Sequence, residues 1–396
     1  MIISKESWKN ATIGEVTIEL KAGFSSGKFE MDSGDIAHLR PMNITDDCRL
    51  IWDSNTKYVS NEVFEYNGRL QLKAGDLIFN NTNSTELVGK SCYIDRDYVC
   101  GFSNHMTRIR VNSEILNSSF LAVLFFHYFN NRTFESYCRK WVGQSGINRD
   151  ILSKIEIPLP PLDEQKQIAE LFQSIETAID DVEGQEKNLL NLKNNLLKEL
   201  FSDSKLFGNH LQAKDFETVR FDKIAINISE RVEPKKTELT TYVGLEHLDA
   251  DNLKIERTGV PDDVIGTKLK IYKGDIIFGK RRAYLRKVAV SHFDGIASAH
   301  SMILRANEKN VEKDFLPYFM QSNVFMGRAV QISEGSLSPT IKNKTLAQQE
   351  FIMPKREKQK ELIALFKQFD VTIEQLKEQK ATLRNLKQNL LREIFD

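Results

Sequence analysis

Two stretches of this chain are one stretch used twice. Residues 158–201 (PLPPLDEQKQIAELFQSIETAIDDVEGQEKNLLNLKNNLLKELF) align with residues 352–395 (IMPKREKQKELIALFKQFDVTIEQLKEQKATLRNLKQNLLREIF) when 194 is added to each number. Ile168, Ile175, Val182, Leu189 and Leu196 recur every seven residues and become Leu362, Phe369, Leu376, Leu383 and Leu390 in the second copy. An apolar side chain at this period predicts a long helix with a coiled-coil seam. Leu171, Leu192, Leu365 and Leu386 supply companion positions three residues on. Gln185 and Gln379 interrupt that row at equivalent places, where a shared polar layer would favour one register.

Pro158, Pro160 and Pro161 keep the first helix from starting earlier, and Asp163 or Glu164 gives it an acidic first turn that suits the helix dipole. From there to Phe201 is roughly 38 residues, or about 57 Å of helix. Residues 158–201 carry 4 basic and 9 acidic side chains, a net of −5, and residues 354–396 carry 10 and 7, a net of +3. Opposite charge suits the two helices as partners for each other, the alternative being two separate solvated helices.

With 396 residues, 41% of them hydrophobic, the chain is long enough for two or more domains. It has no run of about 18 apolar residues, and MIISKESWKN lacks the apolar core of a signal peptide, so a cytoplasmic location is expected. Cys48, Cys92, Cys100 and Cys138 have spacings of 44, 8 and 38 that fit neither a zinc site nor a disulfide framework. They read as reduced, mostly buried thiols.

The segments outside the helices also resemble each other. Lys73-Ala74-Gly75-Asp76-Leu77-Ile78-Phe79 answers Lys273-Gly274-Asp275-Ile276-Ile277-Phe278, a turn feeding an apolar strand. Ser103-Asn104-His105 answers Ser298-Ala299-His300, each followed by alternating strand-like residues that end at Arg110 or Arg305. Phe120-Leu121 and Phe315-Leu316 then open short helical stretches, and polar turns follow at residues 143–148 and 335–342. The expected fold is α+β: two similar globules, 1–157 and 204–351, alternating with long helices at 158–203 and 352–396. Antiparallel packing of the helices relates the halves by a pseudo-twofold axis, a symmetry shared locally by the backbones of duplex DNA.

The duplicated P-L-P-P-L-x-E-Q-x-x-I, the Leu-rich helix after it and the G-D-[IL]-[IL]-F turns before it resemble the DNA-specificity (S) subunit of type I restriction-modification systems. The resemblance spans essentially the whole chain and rests on the joint pattern, with Met353-Pro354-Lys355-Arg356-Glu357 departing from the proline-rich form. It implies two target-recognition domains that each read one part of a split DNA sequence, and helices that space the domains and dock two methyltransferase subunits. It implies no cofactor on this chain, with S-adenosylmethionine on the methyltransferase and ATP with Mg on restriction subunits where these are present.

DNA contacts can be argued locally. In the second half Lys280, Arg281, Arg282, Arg286 and Lys287 surround Tyr284 just after a strand. Arg suits bidentate contact with guanine, and Lys suits phosphate. The corresponding place in the first half holds Asn80, Asn81, Thr82 and Asn83, followed by Lys90, and Asn can read adenine. The polar turns add Gln144, Ser145 and Asn148 in the first half and Ser338 and Lys342 in the second. Residues 1–157 carry 18 basic and 19 acidic side chains and residues 202–353 carry 23 and 20, so any DNA-binding charge must be gathered on one face.

Catalytic patterns are not evident. Gly89-Lys90-Ser91 resembles the end of a phosphate-binding loop, but Ser84 stands where that loop needs glycine. There is no Asn-Pro-Pro-aromatic methyltransferase motif, and Pro261-Asp262 lacks the acidic-x-Lys of a nuclease. His105 and His300 have no nucleophile beside them and are expected in the core. The remaining alternatives are a coiled-coil scaffold that binds only proteins and an enzyme with an unfamiliar site.

Overall fold

The computed structural model describes residues 5–141, 144–199 and 213–396. The expected end of the first helix at Phe201, the boundary at 203/204 and Gly143 of the first polar turn lie outside them. The chain divides into two units, residues 1–181 with 380–396 and residues 182–379. Each unit therefore contains a globule, the first part of the long helix that follows it and the last part of the other long helix.

Each globule is built around a four-stranded antiparallel sheet. In the first unit its order is Thr17–Ala22, Met106–Val111, Leu77–Asn80, Ser91–Tyr93. In the second unit it is Ala225–Ile228, Ser301–Ala306, Ile276–Gly279, Val288–Val290. The Gly-Asp turn ahead of the central strand works identically in both. Gly75 (φ +86°) and Gly274 (φ +92°) take the left-handed conformation that glycine tolerates best. The next residue is a buried aspartate that caps the turn and meets an arginine from the adjacent strand. Arg110 reaches Asp76 at 2.7 and 2.8 Å, and Arg305 reaches Asp275 at 2.7 and 3.0 Å. A carboxylate buried this deeply is tolerable because the bidentate pairing replaces its water.

The central strands are apolar without alternation because both of their faces are covered. Leu77, Phe79 and Ile109 pack against the helix Ser118–Asn130, through Phe120, Leu124 and Phe125. Ile78 and Met106 face the other way, into a small core with Leu39, Cys92, Cys100 and Phe102. That core belongs to an outer lobe whose sheet joins Lys57–Val59, Ile36–Leu39 and Cys100–Phe102, the last two parallel. In the second unit Ile276 and Phe278 face the helical side, which includes Phe315–Gln321 and Asn323–Gln331. Ile277 faces an outer lobe where Gly295–Ala297 runs parallel to Tyr242–Val243. Cys92 and Cys100 are buried thiols, as expected, and burial pushes each up to about 12. Cys48 and Cys138 are only partly buried.

Each globule is closed by pairing its first strand with its last. Lys9–Thr12 pairs with Glu156–Leu159, and Phe216–Arg220 with Glu350–Pro354. The long helices follow as Leu162–Glu199 and Arg356–Phe395, 38 and 40 residues. Residues 352–354, expected at the start of the second helix, are thus the end of a strand.

One buried glutamine fastens each long helix to its globule. Gln165 accepts the Asn117 N–H (2.8 Å) and donates to the carbonyls of Ile115 (3.1 Å) and Pro160 (2.8 Å). Gln359 accepts the Glu312 N–H (2.8 Å) and donates to the Pro354 carbonyl (2.8 Å). With the departure at residues 353–357, the second junction keeps the bonds to an N–H and to a proline carbonyl and lacks the counterpart of the Ile115 contact. The shared bonds explain why the repeat carries Gln at that place, since one amide side chain can serve both an orphan N–H and a carbonyl.

Within each unit the two helix segments run antiparallel. In the first, Ile168, Ala169 and Phe172 share a core with Leu391 and Ile394, while Glu176 pairs with Lys387. In the second, Leu196 and Leu197 share a core with Leu362 and Phe366, while Lys193 pairs with Asp370 at 2.6 Å. Adding 194 to Glu176 and to Lys193 gives Asp370 and Lys387, so the ion pair is duplicated. Each lysine also lies over a ring of its own globule, Lys387 over Phe126 (3.6 Å) and Lys193 over Tyr318 (5.5 Å).

The seam corrects one expectation. Ile168, Ile175, Val182 and Leu362 are buried, and Leu189, Leu196, Phe369, Leu376, Leu383 and Leu390 are half-buried. Their buried companions lie four residues on, not three: Phe172, Ile179, Phe366 and Ile373. Leu192 and Leu386 are instead 50% and 45% exposed, and Gln185 and Gln379 are exposed, so they form no polar layer. The buried polar positions of the seam are Lys193 and Lys387.

An ion pair from each outer lobe reaches its long helix at an equivalent place. Arg49 bonds Glu176 and Asp180, and Lys254 bonds Glu374 (2.7 Å), where Asp180 and Glu374 are again 194 apart. Burial raises the Glu176 carboxyl, but the Lys387 ammonium and the Arg49 guanidinium outweigh it and hold the group below its ordinary range.

Candidate nucleic-acid interface

The strands Leu77–Asn80 and Ile276–Gly279 both deliver the chain into the same local construction. In the first unit Thr82–Asn83 pairs with Gln144–Gly146, matching Ser145 with Asn83 and Gly146 with Thr82, and the Ile147 N–H donates to the Asn81 carbonyl at 2.9 Å. In the second, Arg281 bridges Thr340, the Ile341 N–H donates to the Lys280 carbonyl (3.0 Å), and the Arg282 N–H donates to the Pro339 carbonyl (2.7 Å). The polar turns are therefore brought against the loops they were expected to assist. Arg281 and Arg282 each reach the Ser338 hydroxyl, at 3.0 and 3.3 Å.

The chemistry on this shared frame differs. The first unit has a cleft of about 840 Å³ whose lining includes Ser26, Arg40, Asn80, Asn83, Lys90 and His105. Its cations are neutralised locally, Arg40 by Glu30 and Lys90 by Asp46 at 2.7 Å. The second unit gathers Lys268, Lys280 and Arg281 around His300, and these three are the cations that act on it. Burial lowers the pKa of His300, and Arg281, Lys280 and Lys268 lower it further. Burial and then Arg231 lower that of Lys280.

Several sequence candidates serve the globule itself. Asn80 is buried and donates its side-chain N–H to the Leu87 carbonyl (2.8 Å), while Asn81 donates to the Asn104 carbonyl (3.3 Å). Their Oδ1 atoms have no donor among the described residues. Ser145 is buried against Thr85 (2.6 Å), and Asn148 caps the short helix Arg149–Leu152 by accepting the Ile151 N–H (2.9 Å). Lys90 and Lys287 are equivalent internal tethers, donating to the carbonyls of Ile44 (3.2 Å) and Leu245 (2.6 Å) in their outer lobes. Arg286 is held by Asp251 (2.7 Å), the Gln321 carbonyl and Asn323 (3.3 Å), and Lys342 by Glu334 (2.6 Å).

Thr82 and Asn83 are half-buried, Gln144 is exposed, and Arg282 and Tyr284 stand out from the second unit's turn. Arg282 (φ +57°) and Arg286 (φ +54°) are left-handed, a conformation that costs a non-glycine residue about 1 kcal/mol or more. The turn that presents Tyr284 is therefore held in place by its contacts.

His105 and His300 are exposed, contrary to the expectation of core histidines. Among the described residues the buried histidines are His38 and His127. Each exposed histidine is the last residue of the turn before the strand Met106–Val111 or Ser301–Ala306, where its ring projects outward. Sequence reasoning also passed over Arg40, because it belongs to the outer lobe and no motif surrounds it.

Among the described residues no group of three or more His, Cys, Asp and Glu side chains could hold a metal ion, and no helix is long and apolar enough to cross a membrane. The model of the type I restriction modification DNA specificity domain matches residues 5–192 and again 215–385. The chain belongs to that family, and the two matches reproduce the duplication. Similar curated proteins include the putative type I restriction enzyme MjaX specificity subunit of Methanocaldococcus jannaschii, 24% identical over 84% of this chain and 80% of the relative. The type I restriction enzyme EcoDI specificity subunit of Escherichia coli is 28% identical over 45% of this chain and 40% of its own length. Among solved structures, the type I restriction-modification S subunit from M. genitalium aligns over 98% of this chain and 96% of its own, with a TM-score of 0.58 at 15% identity. That likeness concerns the fold.

Proposed function

We propose that this specificity subunit recognises a split target in double-stranded DNA, one part per unit, and carries two methyltransferase subunits to it. The observation that carries the reading is one hairpin frame furnished twice with different chemistry. Amides with locally neutralised cations suit a different base pattern from the arginines of the second unit, which suit guanine edges and phosphate. Asn83, Gln144, Arg281, Arg282 and Tyr284 are the side chains best placed for contact.

The chain supplies recognition and no catalysis. S-adenosylmethionine belongs to the methyltransferase partners, ATP and Mg to restriction subunits where the system has them, and the assembly works in the cytoplasm. The docking surface lies on the long helices. Leu192, Leu365 and Leu386 are 50%, 39% and 45% exposed on otherwise polar helix faces, which supports a partner helix there.

Selection of bound duplexes from a randomised library, using the purified chain with its methyltransferase partner, tests this. Two conserved blocks separated by a fixed number of unselected base pairs are expected. Recovery of no motif would leave the protein-binding scaffold as the reading, and methylation by the chain alone would make it an enzyme.

A further inference from the structure

His105 and His300 occupy equivalent places on two surfaces that otherwise differ. Each is set by a Ser-x-His turn in which its own N–H donates to the serine hydroxyl, Ser103 at 3.2 Å and Ser298 at 3.3 Å. Each sits beside the hairpin frame. The His105 carbonyl accepts the Asn81 N–H at 2.9 Å, and its ring lines the first cleft with no hydrogen-bond partner among the described residues. The His300 ring lies 3.4 Å from the Arg281 guanidinium and has Lys280 close by. Around these two fixed points the side chains have changed, Asn81, Thr82 and Asn83 standing where the second unit has Lys280, Arg281 and Arg282.

Side chains that read bases must differ between units that read different sequences, whereas side chains that hold the sugar-phosphate backbone can be the same in both. We propose that His105 and His300 each bind a phosphate oxygen of duplex DNA, one contact per unit, and position the backbone for the neighbouring base-reading side chains. The proposal rests on the DNA-recognition reading above. The charged groups around His105 are Arg40, Asp46 and Lys90 of the cleft, and those around His300 are Arg281, Lys280 and Lys268. A phosphate beside an imidazole favours the protonated ring, so the bound pKa exceeds the free one. For His300, affinity is then gained as pH falls into the ordinary histidine range, and the gain is lost as pH rises above it. In the free protein the His300 step lies below that range, held there by burial and its cationic neighbours.

The test uses the full chain assembled with its methyltransferase subunits. Binding of the target duplex and of a scrambled duplex is measured against pH and salt for the wild type, H105A, H300A, H105Q and H300Q. Each Ala variant is expected to weaken both duplexes by the same factor, roughly 3- to 10-fold, and to reduce the salt slope by up to about 1. The H300Q variant, which cannot become charged, is expected to lose part of the gain at low pH, and H105Q to fall between wild type and H105A in affinity. Methylated sequences stay unchanged. Unaltered affinity for both duplexes overturns the proposal, as does a loss confined to the target with an altered methylated sequence, which would make the histidine a base reader. A wild-type complex with no preference for any duplex removes the DNA-recognition reading, and this inference with it.

Discussion

Gln165→Ala should loosen the first long helix from its globule. The side chain is fully buried and makes three hydrogen bonds to backbone groups of Asn117, Ile115 and Pro160. Truncation leaves one N–H and two carbonyls short of a partner. A buried group left unsatisfied costs about 1–3 kcal/mol, and carbonyls keep a second lone pair for other donors, so roughly 3 kcal/mol in all is a reasonable sum. For a unit of this size that corresponds to a fall in melting temperature of about 6–12 °C. Asn117 also caps the helix Ser118–Asn130, so exchange of backbone amides should accelerate at the starts of both helices. Gln359→Ala breaks two bonds in the second unit and should cost less. Differential scanning calorimetry with hydrogen–deuterium exchange measures both effects. A shift below about 2 °C with unchanged exchange at residues 115–121 and 162–172 would refute the latch.

Phe172→Ala should destabilise the first unit by about 3–5 kcal/mol, whereas Leu192→Ala should change stability by no more than about 0.5 kcal/mol in denaturant unfolding, because only the former is buried. The Glu176 carboxyl is held below its ordinary range in the folded protein, so its contribution is present above the unfolded pKa and is lost as pH falls through the folded one. Glu176→Gln should therefore reduce stability near neutral pH and flatten the decline as pH falls through the carboxylate range, which melting curves across pH will show. Replacing Arg281 and Arg282 by Ala should cost about 1–3 kcal/mol per lost base contact and alter one half-site only, as competition with half-site variants will show.

Duplication made much of this fold readable. A repeated seven-residue apolar row and repeated Gly-Asp turns needed only the chain's own internal comparison; both central strands fell where that comparison put them, while the second helix starts at Arg356, after residues 352–354 that end a strand. The companion row was misplaced because leucines at three residues on compete with Phe172 and Phe366 at four, and a period of 3.6 distinguishes them poorly. Contact with the globule decides it, since Phe172 is buried partly by its own domain. The buried lysines were illegible for a related reason. Lys90, Lys193 and Lys387 look like surface charge in sequence, and only the folded chain supplies the carbonyls, carboxylates and rings that make their burial tolerable. The exposed histidines were missed because a lone histidine is ambiguous until its flanking residues are placed.

The central claim is that two units on one chain read two separate parts of one DNA site. Mapping methylated adenines across the genome of cells expressing this chain with its methyltransferase partner tests it most directly. A single motif of two short blocks with a constant gap is predicted, with only the second-read block altered in the Arg281→Ala, Arg282→Ala variant. A continuous motif, or one in which that variant changes both blocks together, would contradict it.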